Sequence, residues 1–364
     1  MKNNEFILDQ GIWYKGFCNE EEIKRILNPQ TPKDYLLQMR ANIVTESTRL
    51  YRVYLNKAHY FKLWSFEKSF VELHYLSVLD HLSDEDRFRC HDITFGDIFS
   101  NDVNGYAEKN MKWGRLIYIN ESLQFFMKFC NLALLDFKID IPPKIRFNAL
   151  RIAIRTIMKT EALDFFLDPR VIVPKDVGER MLQPIKYELQ YIAGHEFSHH
   201  LCGHLDDSNL SNRAVLSLEG KTYFAKVYNP LQKQEFEADL QSIIKPQYNK
   251  TERDRLLFGA LLWFTSLELA EVAQNFTCPE SGFGYKTHPT AQERYDTLLN
   301  NIKFIDKNYN KTIKLIRERF NILKDCLQED MSVNFEEYEK YGSAYLDVPN
   351  TKWRGKELID RIDY

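Results

Sequence analysis

The chain has 364 residues, enough for two domains or for one catalytic domain with sizeable extensions. Hydrophobic residues make up 44% and aromatic residues 14%, which supports a buried core and excludes collagen-like, low-complexity and largely disordered classes. Lys and Arg number 49 against 52 Asp and Glu, so the net charge of -3 argues against nucleic acid as the main partner.

Cysteine usage and apolar runs bear on the compartment. The six cysteines are widely spaced and form no C-x-x-C pair, which indicates free thiols in a reducing environment. No apolar stretch of signal-peptide length opens the sequence. The longest uncharged apolar run, 256–267, spans about 12 residues, short of the ~18 to 20 that cross a bilayer. We therefore expect a cytoplasmic protein without a membrane span, in which this run forms a buried helix.

Residues 1–88 have a mostly helical pattern. Thr31 and Pro32 match an N-cap followed by a proline in the first helical position. Apolar residues at helical spacing predict a further helix over 60–79. We expect this part to be an N-terminal helical extension, and a regulatory or partner-binding role for it is open.

The pattern changes after residue 91. Alternating residues in 92–99 and an apolar run over 115–119 predict strands of a small sheet, and the segment 205–233 predicts a hairpin that is a lid or an inert insertion. Further helices are predicted at about 121–137, 145–164, 234–244, 251–274, 289–304 and 307–328, and another follows Pro174 and runs through Gln183 to about 202. The predicted fold class is therefore α+β, predominantly helical, with one small sheet.

The segment 191–204 contains the pattern H-E-x-x-H on a predicted helix, formed by His195, Glu196 and His199. At 100° per residue the two histidines lie about 40° apart and one turn along, so both imidazoles can reach one tetrahedral Zn²⁺. Glu196 projects beside the metal, where it can take a proton from an activated water molecule. The sequence predicts a zinc site with Glu196 as its catalytic base.

Two histidines after this pattern are weaker candidates for the third ligand. Metzincins use H-E-x-x-H-x-x-G-x-x-H, but here Gly203 comes one place late and His204 one place early. On a continued helix His204 would point about 180° away from His195, and His200 is rotated about 140° from it. We expect neither histidine to bind the metal.

A carboxylate is the better candidate for the third ligand. Glu235 opens a second predicted helix 36 positions after His199 and shares one face with Asp239, whereas Glu237 is turned away by about 200°. Glu235 can complete a His₂Glu site with an open fourth position, and Asp239 can hold the outer N–H of a ligand histidine. The alternative is a solvated acidic helix start.

A third motif, T-H-P-T-A-Q-E-R, occupies 287–294. Pro289 suits the first turn of a helix, which leaves His288 near the helix N-terminus, where it can donate a hydrogen bond to a developing oxyanion. We predict His288 as a catalytic residue, with capping or packing as the alternative. Arg294 can pair with Asp239 or Glu235, bind substrate, or form a structural salt bridge.

The chain resembles the Lit-type phage-exclusion metallopeptidases, and more distantly the HtpX-type gluzincins. The resemblance rests on GHEFSHHLCGH, QEFEADLQSI and THPTAQERYDTLLNNI and covers about residues 90–305. It implies a zincin-like catalytic domain and a soluble zinc endopeptidase. In it, His195, His199 and Glu235 match the metal ligands and Glu196 matches the catalytic base.

Lit-type peptidases act inside bacteria and cleave a translation elongation factor after a phage signal. The resemblance therefore implies a protein substrate, with a translation factor as the candidate, and an anti-phage defence role by analogy alone. A regulatory partner is open. We divide the chain into the extension 1–88, a metallopeptidase domain over 89–305, and a C-terminal helix and tail over 306–364.

The rival interpretation is a non-catalytic or masked zincin scaffold that acts as a regulatory protein-binding module. The intact Glu196 argues against it, because a silent zinc site has no need of that carboxylate. No serine or cysteine nucleophile is required by the zinc mechanism, and we interpret Cys202 as a small buried thiol.

Overall fold

The computed structural model describes residues 11–99, 104–138, 141–167, 175–205, 210–216, 222–228, 232–277, 289–344, 347–353 and 356–359. For the strands between 210 and 228 and those after 346, the description covers the backbone alone. Across these residues the fold is mostly helical and its strands form two sheets. The coarse prediction of an α+β, predominantly helical chain is confirmed.

In the described part of the chain, five α-helices precede the first strand: α1 Glu20–Leu27, α2 Pro32–Glu46, α3 Thr48–Tyr60, α4 Leu73–His81 and α5 Asp84–Arg89. Helix α2 begins where the sequence predicts, because Thr31 Oγ1 accepts a hydrogen bond from the backbone N–H of Asp34 at 3.1 Å. Pro32 occupies the first helical position.

The single helix predicted over 60–79 is wrong, since α3 ends at Tyr60 and α4 begins at Leu73. Tertiary contacts override the helical spacing in between. Phe66 is fully buried in an aromatic core, and the carboxylate of Glu67 receives two hydrogen bonds from the Arg25 guanidinium at 2.7 and 2.8 Å.

The main sheet has five strands in the order β1-β3-β2-β5-β4. They are β1 Thr94–Ile98, β2 Gly105–Asn110, β3 Gly114–Asn120, β4 Leu210–Leu216 and β5 Thr222–Tyr228. β1 and β3 are parallel and the other neighbours antiparallel. The predicted hairpin is the β4–β5 pair, which extends the sheet beyond β2. A second sheet, β6 Asp347–Trp353 with β7 Lys356–Ile359, was not predicted.

The remaining helices follow in chain order as α6 Ser122–Leu134, α7 Pro143–Ile157, α8 Lys175–Leu201, α9 Gln232–Ile244, α10 Lys250–Thr277, α11 Ala291–Asn301, α12 Asn308–Val333 and α13 Phe335–Tyr341. Helix α7 ends earlier than the predicted 164, because the chain reverses at Lys159, whose φ is 66°. Helix α11 begins after Pro289 rather than with it, since Thr290 is the N-cap of a capping box.

Helices α8 and α10 lie at the centre of the main core. Among the described helices, α10 is the one long and apolar enough to cross a membrane, but 78% of its apolar window is buried inside the protein. It is therefore the predicted buried helix, as in a soluble protein. Gly259 lets the two helices approach closely: a Cβ there would lie 2.8 Å from the carbonyl carbon of Tyr187.

Three hydrophobic clusters support the described part of the fold. The largest joins side chains of α6, α7, α8 and α10 to those of α12, such as Phe320 and Leu327. The second is aromatic, centres on Phe17, Tyr54 and Phe66, and belongs to the N-terminal helices. The smallest packs Leu36 of α2 against the sheet. The division of the chain at 88 and 305 stays a prediction.

Candidate metal site

Helices α8 and α9 bring the three predicted metal ligands together. The Nε2 atoms of His195 and His199 lie 2.9 Å apart. Each also lies 3.5 Å from one carboxylate oxygen of Glu235. Ligand atoms around a tetrahedral zinc ion with bonds of ~2.0 to 2.1 Å are about 3.3 to 3.4 Å apart. The three residues therefore form a group that could hold a metal ion.

Small residues set the spacing between these helices. Gly194 on α8 lies against α9, where a Cβ would be 3.4 Å from both the backbone oxygen and the Cβ of Ser242. The ligand histidines lie one turn apart on the same face of α8. All three predicted ligand residues are buried.

Asp239 lies directly behind His195, in the position that its spacing predicts. Its Oδ1 is 2.8 Å from His195 Nδ1 and accepts hydrogen bonds from Tyr191 Oη and Arg294 Nη2, both at 2.6 Å. Arg294 Nε also donates to Asp239 Oδ2 at 2.8 Å. These contacts fix the ring so that Nε2 faces Glu235.

Arg294 also reaches Glu235, with Nη1 3.2 Å from Oε2. Its guanidinium stacks over Phe264 of α10, with Cζ 4.8 Å from the ring centroid. The structure thus places Arg294 against both acidic residues. Its role in binding substrate stays a prediction.

The electrostatics of this group reflect burial opposed by close charges. Burial acts to lower the pKa of His195, but hydrogen bonds and charges from Asp239 and Glu235 raise it to about 10. Burial acts to raise the pKa of Asp239, but Arg294 and His195 hold it below its ordinary value. The pKa of His199 is depressed by burial and by the charge of His195, so His199 is neutral, the form that binds metals.

Glu196 lies on α8 beside this group and is close to the start of β2. Burial raises its pKa to about 7, although His195, Arg294 and a hydrogen bond from the Ala107 backbone N–H oppose this. Gly105 at the start of β2 makes the approach feasible, because a Cβ there would lie 3.0 Å from Glu196 Oε1. A base with a pKa near neutrality suits proton transfer from water.

The structure corrects the expected direction of His204. Helix α8 ends at Leu201, and Gly203 takes a left-handed conformation with φ 72°, so the chain turns back instead of continuing the helix. His204 Nδ1 therefore lies 3.0 Å from His199 Nδ1, and its Nε2 is 3.3 Å from Glu237 Oε2. His204 is no part of the group formed by the predicted ligands, but it contacts one of them.

The other nearby candidates lie outside the ligand group. His200 points to β3, where its Nε2 is 3.3 Å from the Leu116 carbonyl oxygen, and burial lowers its pKa to about 4. Cys202 is half-buried rather than fully buried, and burial raises the pKa of its thiol. The cysteines in the described part of the chain are free thiols. His288, predicted as catalytic, lies outside the described residues.

Three features near the site were not predicted. Tyr191 lies four positions before His195 on the same helix face, a spacing that could have revealed it. The hydrogen bond from Ala107 to Glu196 comes from the backbone, so no side chain in the sequence could have indicated it. The contact of His204 depends on the turn at Gly203, and the tendency of glycine to end a helix was the signal that could have revealed it.

Comparison with known protein families, with curated proteins and with solved structures finds no match for this chain. The resemblance to Lit-type peptidases therefore stays a prediction from the three motifs. The case for a function rests on the geometry of the site.

Proposed function

We propose that this protein is a zinc-dependent endopeptidase with a zincin-like, gluzincin-type site. The observation that carries the proposal is the convergence of His195, His199 and Glu235 in one buried group beside Glu196. Two imidazoles and one carboxylate are a donor set typical of catalytic zinc, with a fourth position left for water or substrate.

The charge balance of the site supports a divalent cation. Among the described residues, the carboxylates of Glu196, Glu235 and Asp239 face one guanidinium, that of Arg294. With all three ionised and both histidines neutral, as metal binding requires, an excess of two negative charges remains, which a divalent ion would neutralise. Without an ion, a proton on His195, whose pKa is raised to about 10, offsets part of this charge.

In this proposal each residue has a separate chemical task. Zinc, when bound, supplies Lewis acidity that polarises the scissile carbonyl and makes water more acidic. Glu196 accepts the proton of the attacking water at its carboxylate and delivers it to the leaving amine. Asp239 keeps His195 oriented, while Arg294 holds Asp239 and Glu235 in place.

The resemblance to Lit-type peptidases supports a more specific proposal. The substrate is an intracellular bacterial protein, of which a translation factor is the first candidate, and cleavage takes place in the cytoplasm during phage infection. Residues 1–88 are the candidate region for a regulatory partner. The single described helix that could cross a membrane by length is a core helix, which is compatible with this location.

The test combines metal analysis with a search for new protein termini. Purified protein should contain about one zinc per chain. Incubated with a bacterial lysate, it should generate new N-termini detectable by mass spectrometry. Glu196→Gln should keep the zinc and reduce cleavage by about 10² to 10⁴. Glu179→Gln makes the same change on the exposed N-terminal part of α8 and should retain activity.

The outcomes separate the proposal from its rival. Zinc in the wild-type protein without any zinc-dependent termini would favour the non-catalytic scaffold. Cleavage by Glu196→Gln at the wild-type rate would remove Glu196 from the mechanism.

The defence role has its own test. Bacteria that express the wild-type chain should resist at least one phage, measured as a lower plating efficiency, and Glu196→Gln should abolish the resistance. Protection that is equal in the two strains would separate defence from peptidase activity.

A further inference from the structure

The two ligand histidines are supported in different ways. His195 Nδ1 contacts the buried carboxylate of Asp239 directly, at 2.8 Å. His199 Nδ1 lies 3.0 Å from another imidazole, that of His204, whose far nitrogen is 3.3 Å from the half-exposed carboxylate of Glu237. A metal-binding histidine needs an acceptor for its outer N–H, and here that acceptor is a second histidine.

Proton positions along this chain of contacts follow from the ligand geometry. His199 presents Nε2 to Glu235 and His195, so a metal in this group takes that lone pair and leaves the proton on Nδ1. His204 Nδ1 must then accept, which places the His204 proton on Nε2. That N–H in turn donates to Glu237.

We propose that His204 is a positioning residue for the metal site, which accepts the outer N–H of His199 and is itself oriented by Glu237. The inference rests on the metal site of the proposed function. It does not depend on which substrate is cleaved or on whether cleavage occurs.

A different use of the same residues is a second metal site. Cys202, His204 and Glu237 form the other described group whose ligand atoms lie within 4.8 Å of one another. A metal on His204 Nε2 would move its proton to Nδ1. Two N–H groups would then face each other at 3.0 Å between His199 and His204 while the first site is filled. The geometry therefore favours the positioning role over a second metal.

The experiment measures zinc affinity by competition with a chelator, using the full chain and two matched variants. His204→Asn keeps an oxygen acceptor where Nδ1 lies, and His204→Leu has a similar shape without any acceptor. His204→Leu should weaken zinc binding by about 10- to 100-fold, whereas His204→Asn should restore most of the affinity. Co²⁺ bound in place of zinc should show altered visible absorption bands in His204→Leu and nearly normal bands in His204→Asn.

Three controls isolate the proposed contact. Cys202→Ala should leave affinity and a stoichiometry of one unchanged. Far-ultraviolet circular dichroism of the metal-free variants checks folding. If His204→Leu does not fold, Glu237→Ala and Glu237→Gln replace it. Glu237→Gln should bind zinc more tightly than Glu237→Ala, because its amide oxygen still accepts a hydrogen bond from His204.

Equal zinc affinity in the wild type and His204→Leu would overturn the inference and leave the proposed function intact. So would two zinc ions per chain with one lost in Cys202→Ala. A wild-type protein that binds no zinc would overturn both proposals. A protein that binds zinc with the predicted dependence on His204 but cleaves nothing would overturn only the proposed function.

Discussion

Two buried clusters of charge in this molecule are balanced differently. In the N-terminal half, Arg40 is buried among aromatic rings, lies 4.1 Å from the Phe70 ring centroid, and pairs with Glu121. Tyr54 bonds to both members of that pair. In the candidate metal site, three carboxylates face the single guanidinium of Arg294.

The difference shows how to separate structural from functional buried charge. In the Arg40 cluster the guanidinium pairs directly with the carboxylate of Glu121, and Asp97 and Lys57 also act on that carboxylate. The pair joins α2 to the start of α6. In the candidate metal site Arg294 alone does not balance the three carboxylates, and a proton on His195, whose pKa is raised to about 10, offsets part of the remaining charge. Buried charge is costly, so the proposed cation would take over the role of that proton.

The largest expected effect is the loss of a metal ligand. Glu235→Ala should reduce zinc affinity by more than about 100-fold, because it removes both a ligand and a charge. Loss of a residue that only supports a ligand costs at most about that much. His204→Ala should have a smaller effect. Zinc content by metal analysis and chelator competition measure both. If His204→Ala strips the metal while Glu235→Ala retains it, the proposed ligand set is wrong.

A substitution in the Arg40 cluster should affect the stability of the fold alone. Arg40→Met leaves the largely buried Glu121 without the cation that pairs with it directly and should lower the free energy of unfolding by about 3 to 5 kcal/mol. Zinc affinity should not change. Denaturant unfolding measures the loss, and Lys33→Met, which breaks the exposed pair with Glu72, is the control, with an expected loss under about 1 kcal/mol. A drop in zinc affinity in Arg40→Met would show that the two clusters are coupled.

A buried carboxylate can also be neutralised by a bound proton, and Glu188 on α8 is an example. Its one described hydrogen bond comes from Asn131 Nδ2 at 2.7 Å, and burial raises its pKa to about 8. The folded chain therefore binds this proton more tightly than the unfolded chain. Its stabilising contribution is complete below a pH of about 4.5 and is lost as pH rises through about 8.

Glu188→Gln should remove this pH dependence. Relative to the wild type, the variant should gain roughly 2 to 3 kcal/mol between pH 6 and pH 8, at about 1.4 kcal/mol per pH unit. Denaturant unfolding at several pH values measures the gain, and Glu179→Gln on the same helix is the exposed control. Parallel pH profiles of Glu188→Gln and the wild type would contradict the assigned pKa.

The smallest of these effects is expected at Asp239. Asp239→Asn keeps the size of the side chain but removes the charge that orients His195, so zinc affinity should fall about 10- to 100-fold. Asp176→Asn near the start of α8 is an exposed control. An unchanged zinc affinity in Asp239→Asn would show that Arg294 and Tyr191 suffice to hold the site.

Local patterns predicted most of the helices and the ligand group. The i, i+4 spacing of His195 and His199 and that of Glu235 and Asp239 survive folding, because each pair lies on one regular helix. That the two pairs face each other was inferred from the ligand set that zinc prefers, because no local sequence pattern indicates it.

The features that were missed or predicted wrongly depend on contacts between distant parts of the chain or on a single turn. Strand β2, with the sequence GYAEKN, has little strand propensity of its own and is held by its pairing with β3. Phe66 interrupts the predicted helix because an aromatic core receives it. His204 was misplaced because one glycine, Gly203, reverses the chain direction.

The candidate ligands come from two helices, and 36 positions in the chain separate His199 from Glu235. A metal held by both helices, as proposed, would be a cross-link that closes a loop and would limit the freedom of the chain much as a disulfide does. Loop-closure entropy grows slowly, by about 0.6 kcal/mol for each doubling of length. The connection that includes β4 and β5 can therefore change in length at little thermodynamic cost while the candidate ligands keep their places.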